Sequence, residues 1–306
     1  MIPSSCASCG GSLSTRYAEV EDPQSRERFS VLACEACGLG HTSPVPDNPS
    51  RYYGPDYYGG RHGLTHALCL WRRTRLLDRF GGGDGTGQRR LLDVGCGDGS
   101  FLEAARKRGW EVAGTEIEPH PHSADLNIRS SIAETGGGYT CATLWHSLEH
   151  VRDPRATLSE VASALVPGGT VLIAVPDAQS VQARLYGPVW RHLDVPRHLF
   201  HFGAQSLELV LSKTGFVPFW RWNQELEYDL FGWTQSLLHA VSADRDLLLR
   251  SFSGREKDPS KRLAGLAVGG ALAGIFLPVA MATAASGSGG TLVVAARLGA
   301  RSEGTR

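Results

Sequence analysis

The chain has 306 residues, enough for one large domain and a small appendage. Its 31 basic and 31 acidic residues balance, which excludes an overall basic surface for nucleic acid. The first ten residues, MIPSSCASCG, lack the apolar segment of a secretory signal, so we expect the seven cysteines to lie in a reducing cytoplasm as metal ligands or free thiols.

Two CxxC pairs open the chain, Cys6 with Cys9 and Cys34 with Cys37. Each pair can place two thiolates on one tetrahedral ion, and a glycine after each pair relaxes the tight turn. Four cysteines leave no open position for water, so the pattern predicts structural Zn²⁺ in a zinc-ribbon-like module over residues 1–42, with a β-hairpin between the pairs. The alternative is four unliganded thiols on a surface loop. The isolated cysteines are expected to be small buried residues: Cys69, Cys96 and Cys141.

Residues 43–88 are predicted to be a connector followed by an amphipathic helix over 64–80. Prolines and glycines at its start disfavour a helix there. Its four tyrosines suit either a pocket entrance or plain packing: Tyr52, Tyr53, Tyr57 and Tyr58. Four arginines on the helix are expected to form a solvated face: Arg72, Arg73, Arg75 and Arg79.

The segment LLDVGCGDGSFL, residues 91–102, predicts a buried strand, a tight glycine turn and the start of a helix. Glycines in that turn let backbone N–H groups approach a ligand, and Asp93 can bind the ligand or orient the turn. The next strand ends at Glu116, where an acid in a doubly wound fold binds ribose hydroxyls. A nucleoside pocket is therefore predicted, while the spacing Gly95-x-Gly97-x-Gly99 disfavours an NAD oxidoreductase.

Strands and helices alternate through the rest of the core, which predicts an α/β fold with a parallel sheet and right-handed crossovers. The predicted strands cover 91–95, 111–116, 127–131, 141–147, 168–177, 216–223 and 291–298. The predicted helices cover 100–108, 154–165 and 206–215.

The turn DVGCGDGS resembles motif I of the class I S-adenosylmethionine (SAM) methyltransferases. The segment ATLWHSLEHVRDP, with the Pro-Gly-Gly turn at 167–169, resembles the second half of a methyltransferase core. The segment WRHLDVPRHLFHFGAQSLELVLSKTGF is similar to a bacterial group that joins CxxC pairs to a type 12 or type 23 methyltransferase domain. This resemblance covers about residues 1–225. Tyr139-Thr140 stands where relatives have Phe-Asp, and the helix after Glu116 is shortened.

The resemblance implies a doubly wound, Rossmann-like SAM methyltransferase sheet with an antiparallel last strand, and SAM as the cofactor. The implied cofactor-binding residues are Asp93, Val94, Gly95, Cys96, Gly97, Gly99, Glu116, Ile117 and Trp145. Trp145 either stacks on the adenine or fills core space.

Methyl transfer is an in-line displacement that often needs a base for the acceptor's proton. His150 follows the fourth strand at the ligand-binding edge and is the predicted general base, with Glu149 as an orienting group and His146 as a second candidate. Capping of the next helix is the alternative role for each histidine. A second polar cluster suits either an acceptor with phosphate or hydroxyl groups or a structural salt-bridge network: Arg191, His192, Arg197, His198 and His201.

Residues 263–285 contain no charge and are long enough to span a bilayer. A single crossing would separate two strands of one sheet, so we expect a buried helical pair or a hairpin at a membrane surface, with 236–252 as a further amphipathic segment. The expected organisation is a SAM-binding core over 89–225, a helical, partly apolar insertion over 226–288, and the last core strand with a tail over 289–306.

The predicted function is SAM-dependent methyl transfer to a small or lipid-linked acceptor, such as a sugar or a cell-envelope glycan intermediate. The sugar rests on analogy with zinc-module C-methyltransferases of deoxysugars. An RNA methyltransferase with a zinc recognition module is disfavoured by the neutral charge and by the lack of an Asn/Asp-Pro-Pro-Tyr motif. A non-catalytic zinc-bearing interaction protein with the SAM fold is the other alternative. The expected location is the cytoplasm, extending to the inner face of the membrane if the apolar segment contacts lipid.

Overall fold

The computed structural model describes residues 3–53, 64–82, 87–117, 125–241, 247–252, 254 and 256–299. Tyr57 and Tyr58 of the connector lie outside the described residues. The elements, in chain order, are β1 (Leu13–Glu21), β2 (Arg28–Cys34), β3 (Gly40–Ser43), α1 (Leu64–Phe80), β4 (Arg90–Val94), α2 (Ser100–Arg106), β5 (Glu111–Thr115), β6 (Asn127–Arg129), β7 (Tyr139–Trp145), α3 (Pro154–Ala164), β8 (Leu165–Pro176), α4 (Val181–Tyr186), β9 (Phe200–His201), α5 (Ala204–Lys213), β10 (Phe216–Trp222), α6 (Leu226–Val241), α7 (Leu247–Phe252), α8 (Pro259–Ala285) and β11 (Thr291–Leu298).

The core is a seven-stranded sheet in the order β10-β11-β8-β7-β4-β5-β6. The pairs β4–β5, β4–β7, β5–β6 and β7–β8 are parallel, whereas β11 runs antiparallel to both β8 and β10. Every residue of β7 is buried, as expected for a parallel strand covered on both faces. This arrangement confirms the predicted doubly wound sheet with an antiparallel last strand. The carboxyl ends of β4, β5 and β7 meet at one edge, where such sheets bind ligands.

The N-terminal residues form the predicted hairpin, with β1 antiparallel to β2. The hairpin continues into a four-stranded sheet, β1-β2-β3-β9, whose last strand comes from the loop between α4 and α5 of the core. Thr42 in β3 also donates a hydrogen bond to the carbonyl of His198, at 2.6 Å. The cysteine-bearing segment is therefore attached to the core as a shared sheet.

Arg197 lies at this junction with almost no solvent exposure. Its Nη2 donates to Asp22 and to Asp194, each at 2.8 Å, and its Nη1 donates to the carbonyl of Tyr52 at 3.3 Å. Burial alone would raise the pKa of Asp194, but Arg197 and Arg191 hold it well below its usual range. Arg191 and Arg197 of the second polar cluster thus belong to a buried ion-pair network between distant segments, which is the structural alternative considered for the cluster.

The apolar segment forms part of the single helix α8, which packs against α6 and α7. Its buried residues are all small: Gly265, Gly269, Ala280 and Ala284. Large apolar side chains face outward, with Leu263 70% exposed and Ile275 63% exposed. The expectations of a buried helical pair and of a hairpin are therefore both wrong, because the segment forms one continuous helix of which only the small residues are buried against the neighbouring helices. In the described part of the chain, α8 is the helix long and apolar enough to cross a membrane.

Replacing Arg197 with Ala should lower the free energy of unfolding by about 3–5 kcal/mol, because it leaves two buried carboxylates without their shared partner. Chemical denaturation measures this loss. The matched control is Arg155→Ala on the exposed side of α3, which should change stability by less than about 0.5 kcal/mol. A loss below about 1 kcal/mol for Arg197→Ala would contradict the junction described above.

Candidate functional site

The loop between β4 and α2 carries three glycines with positive φ, Gly95 at 74°, Gly97 at 55° and Gly99 at 78°. A Cβ at Gly95 would lie 2.6 Å from the Cβ of Ser147, and one at Gly99 would lie 2.6 Å from Leu126 Cδ1. Packing therefore requires both of these glycines. A Cβ at Gly97 would have no described atom within 4 Å, so Gly97 faces open space where a ligand can approach the backbone.

Glu116 follows β5 and lies opposite this loop. Its Oε2 accepts a hydrogen bond from the backbone N–H of Gly97 at 2.9 Å, and its Oε1 accepts from the N–H of Ile117 at 2.8 Å. The Ile117 side chain is 84% exposed, which is unusual for a large apolar residue. A carboxylate and an uncovered apolar surface thus adjoin the open side of the glycine loop.

Asp93 lies below the loop and is buried. Burial raises the pKa of its carboxyl to about 7, against the opposing effects of Thr143 and Arg73. Thr143 Oγ1 donates to Asp93 Oδ1 at 2.6 Å. This contact orients the end of β4 against β7, so Asp93 supports the turn from the interior.

Three further residues of the predicted cofactor set are buried: Val94, Cys96 and Trp145. The Cys96 side chain packs against Gly114, where an added Cβ would lie 2.7 Å from the sulfur. Trp145 packs edge-on against Phe101, with ring centroids 5.7 Å apart, and its indole N–H has no hydrogen-bond partner among the described residues. Trp145 therefore contributes mainly to the core, with one unused donor.

His146 begins the loop after β7 and has a positive φ of 53°, uncommon for a residue with a side chain. Its Nε2 lies 2.5 Å from Glu225 Oε2, its Nδ1 lies 3.6 Å from Glu149 Oε1, and its ring stacks on Tyr228. Burial lowers the pKa of His146, but the two carboxylates raise it overall. The two acids thus favour the cationic form of His146, and their contacts with its ring are suited to positioning the loop.

Glu225, three residues after β10 and directly before α6, is the centre of this network, and its side chain is fully buried. Arg72 lies 2.5 Å from Glu225 Oε1, and Arg73 lies 3.5 Å from the same oxygen. The expectation that all four arginines of α1 form a solvated face is therefore wrong for Arg72 and Arg73, because this side of α1 turns toward a buried carboxylate. Arg75 and Arg79 are exposed as expected. No local pattern around Glu225 indicates this role.

Glu149 is 1% exposed, and neither of its carboxylate oxygens has a hydrogen-bond partner among the described residues. Burial raises the pKa of Glu149, but His146, His150 and His198 together lower it to about 2. His150 is half-buried, with Nδ1 2.9 Å from the Tyr53 hydroxyl and 3.0 Å from the carbonyl of Arg197. The structure thus brings the three predicted catalytic residues together and adds His198 to them.

The four N-terminal cysteines converge, with their sulfurs all within 4.8 Å of one another. Cys6 and Cys37 are 3.6 Å apart, and Cys9 and Cys34 are 3.3 Å apart. The glycines that follow the two pairs, Gly10 and Gly38, adopt positive φ as predicted. The other three cysteines are buried singly.

A family model described as a methyltransferase domain matches residues 61–218. The ubiquinone biosynthesis O-methyltransferase of Aeromonas salmonicida is 32% identical over 124 residues, which cover 36% of this chain and 51% of that protein. The enzyme of the same name from Idiomarina loihiensis is 29% identical over 183 residues, covering 55% of this chain and 66% of its own. The chain spans about half the length of the first curated relatives it matches.

Among solved structures, phosphoethanolamine N-methyltransferase 2 of Haemonchus contortus, in complex with phosphomonomethylethanolamine and S-adenosylhomocysteine, superposes with a TM-score of 0.51. The sequences are 14% identical, and the match covers 95% of this chain and 69% of that one. At this identity the likeness concerns the fold.

Proposed function

The chain belongs to the methyltransferase-domain family. We propose that it is a SAM-dependent methyltransferase, that SAM binds on the open side of the glycine loop next to Gly97 and Glu116, and that the acceptor binds beside His150. The observation that carries this proposal is the open space at Gly97 together with the carboxylate 2.9 Å from its N–H. A glycine turn and an acid at the next strand end are the features that bind a nucleoside in a doubly wound fold.

In this proposal Glu116 accepts hydrogen bonds from the ribose hydroxyls, and Ile117 covers one face of the adenine. An 84% exposed isoleucine gains favourable apolar burial when an aromatic base lies against it. Four loop residues shape the backbone that faces the ligand: Val94, Gly95, Cys96 and Gly99. Asp93 holds that backbone from below.

Arg73 offers a complementary group for the amino-acid end of SAM. Its guanidinium lies 5.0 Å from the centroid of the Trp145 ring. Its Nε faces Glu225, and its Nη2 is buried without a hydrogen-bond partner among the described residues. Buried donors without partners are costly, and a carboxylate such as that of the methionine moiety would satisfy them. SAM supplies an electrophilic methyl group on a positively charged sulfur.

His150 is the residue that we propose activates the acceptor. The Arg197 carbonyl can only accept a hydrogen bond, so its 3.0 Å contact places the proton of a neutral His150 on Nδ1 and leaves a lone pair on Nε2. His146 fixes the preceding loop through its contacts with Glu149 and Glu225. The acceptor end of the crevice therefore combines a rigid loop with one partly accessible imidazole.

The proposed acceptor is a hydroxyl group on a small or lipid-linked molecule, a class that includes sugars and cell-envelope glycan intermediates. The relatives named O-methyltransferases support a hydroxyl. A lipid-linked molecule is supported by the exposed apolar surface of α8, since an acceptor anchored in a bilayer would be presented at such a surface.

Calorimetric titration should show that the protein binds SAM and that Glu116→Ala weakens binding by about 10- to 100-fold, because hydrogen bonds to a charged group contribute about 1.5–3 kcal/mol each. The matched control is Glu111→Ala at the exposed start of β5, the strand that Glu116 follows. This variant should bind SAM as the unmodified protein does. Unchanged SAM affinity in Glu116→Ala would refute the ribose assignment.

We also propose that Cys6, Cys9, Cys34 and Cys37 hold one structural Zn²⁺. In a tetrahedral site, bonds of about 2.3 Å place the sulfurs about 3.8 Å apart. The observed spacings of 3.6 and 3.3 Å are close to that value. Two sulfurs come from each turn, so an ion would link the start of β1 to the end of β2.

Metal analysis should find one zinc ion per chain, and Cys34→Ser should lower the zinc affinity at least about tenfold and reduce the melting temperature. Cys69→Ser, at a buried cysteine of α1 outside the cluster, should keep the full zinc content. A folded protein free of metal, with the same melting temperature after chelation, would exclude the zinc site.

We further propose that α8 contacts the inner face of the membrane without crossing it. Its exposed large residues lie on several sides of the helix rather than on one stripe: Leu263, Val268, Ile275, Leu277, Val279 and Met281. Lys261 and Arg262 at its start suit an anionic lipid surface. Both flanking strands, β10 and β11, belong to one sheet, so both ends of the insertion lie on the same side of a membrane.

The protein should float with vesicles of phosphatidylglycerol and phosphatidylethanolamine, and the triple substitution L263S/I275S/M281S should reduce the bound fraction at least tenfold. Each removed side chain loses up to about 1.5–3 kcal/mol of apolar burial in the lipid. Leu185→Ser in α4 is the control, since Leu185 is 66% exposed but distant in sequence from α8. Equal flotation of the triple variant would contradict this surface assignment.

A further inference from the structure

The loop after β7 and the loop before β9 bring Glu149, His150 and His198 together. We infer that these three side chains form a site for a divalent transition-metal ion whose remaining positions bind an oxygen of the acceptor. This inference rests on the proposed SAM site and acceptor position, and it replaces the role of base proposed above for His150 with that of a metal ligand.

The spacing of the three groups matches a bridging ion. One donor atom from each side chain lies within 4.8 Å of the other two. Glu149 Oε1 and His198 Nε2 are 4.0 Å apart, too far for a hydrogen bond. Two metal–ligand bonds of about 2.0–2.1 Å span such a gap with small adjustments of the side chains.

Glu149 provides independent support, because its burial is not compensated by hydrogen bonds. The carboxylate is 99% buried, and its nearest charged contact is His146 Nδ1 at 3.6 Å. Neither oxygen has a hydrogen-bond partner among the described residues. The ion pair with His146 offsets part of the cost of burying this charge, and coordination of a metal would offset more of it.

Both histidines have the outer contacts of metal ligands. A coordinating imidazole usually donates its other N–H to a carbonyl or carboxylate, which fixes the ring. His198 Nδ1 lies 2.9 Å from the carbonyl of His192, and His150 Nδ1 lies 3.0 Å from that of Arg197. Each ring is thereby oriented with one nitrogen in use and one available.

Two imidazoles and one carboxylate suit Mn²⁺, Fe²⁺ or Zn²⁺, and three protein ligands leave positions open. His150 is the half-buried member, so the open positions face the accessible side of the cluster. A hydroxyl oxygen bound there would have a lowered pKa, as metal-bound water does. In this form the His150 lone pair binds the ion, so His150 acts as a ligand and not as the base.

Mn²⁺ titration of the full-length protein, loaded with one zinc ion per chain and freed of any further metal, tests the site, with binding followed by the electron paramagnetic resonance signal of free Mn²⁺. Mn²⁺ prefers oxygen and nitrogen donors to a four-thiolate site, so the cysteines should not compete. We expect one Mn²⁺ per chain, and an affinity at least about tenfold lower in Glu149→Gln and in His150→Asn. Glu160→Gln, exposed on α3, should bind Mn²⁺ like the unmodified protein.

The same preparations are titrated with SAM. Absence of Mn²⁺ binding, or equal affinity in His150→Asn, overturns the metal site, and intact SAM binding then leaves the proposed function standing. Failure of the unmodified protein to bind SAM would instead overturn the proposed function. His150 is half-buried, so His150→Asn should disturb folding less than Glu149→Gln does. The test therefore does not depend on the folding of Glu149→Gln.

Discussion

The buried carboxylate of Glu225 is the contact on which the acceptor side of the crevice depends. A charged group without solvent is tolerated only where cations surround it, and here the cations come from Arg72, Arg73 and His146. Burial would raise the pKa of Glu225, but these partners hold it well below its usual range. One carboxylate thus ties α1, the loop after β7 and the segment after β10 together.

The position of His146 follows from this contact. A residue with a side chain at a φ of 53° is strained, and such strain persists where surrounding contacts determine the conformation. The ion pair with Glu225 and the stack on Tyr228 are those contacts. They fix the direction in which Glu149 and His150 leave β7, beside the glycine loop.

Arg197 has a comparable role at the junction between the cysteine-bearing hairpin and the core. It joins Asp22 of the hairpin to Asp194 of the core, next to the strand pairing of β3 with β9. The carbonyl of Arg197 also accepts a hydrogen bond from His150 Nδ1. The hairpin is therefore coupled to the proposed acceptor pocket through one residue. Glu149 differs from these ion pairs, since its carboxylate lies among histidines and accepts no hydrogen bond from the described residues.

The sequence alone determined the features that are local in origin. Apolar runs predicted the core strands to within a few residues, and the helix expected over 64–80 is α1. Glycine spacing predicted the turn at Gly95–Gly99 and the acid opposite it, because positive φ and a strand end are short-range properties. The two CxxC pairs predicted their own convergence, because the hairpin between them returns the chain to its start.

Only the tertiary structure decided the burial of Arg72 and Arg73, the partner of His146 and the approach of His198 to Glu149. Each depends on residues that lie about 50 to 150 positions apart, and the helical pattern of α1 is the same whether its arginines meet water or a carboxylate. The sequence likewise left open whether α8 is buried or exposed. The uncharged residues 263–285 would show the same pattern in a protein core and at a surface. Periodicity reports which side of an element is apolar, while its neighbours decide what that side contacts.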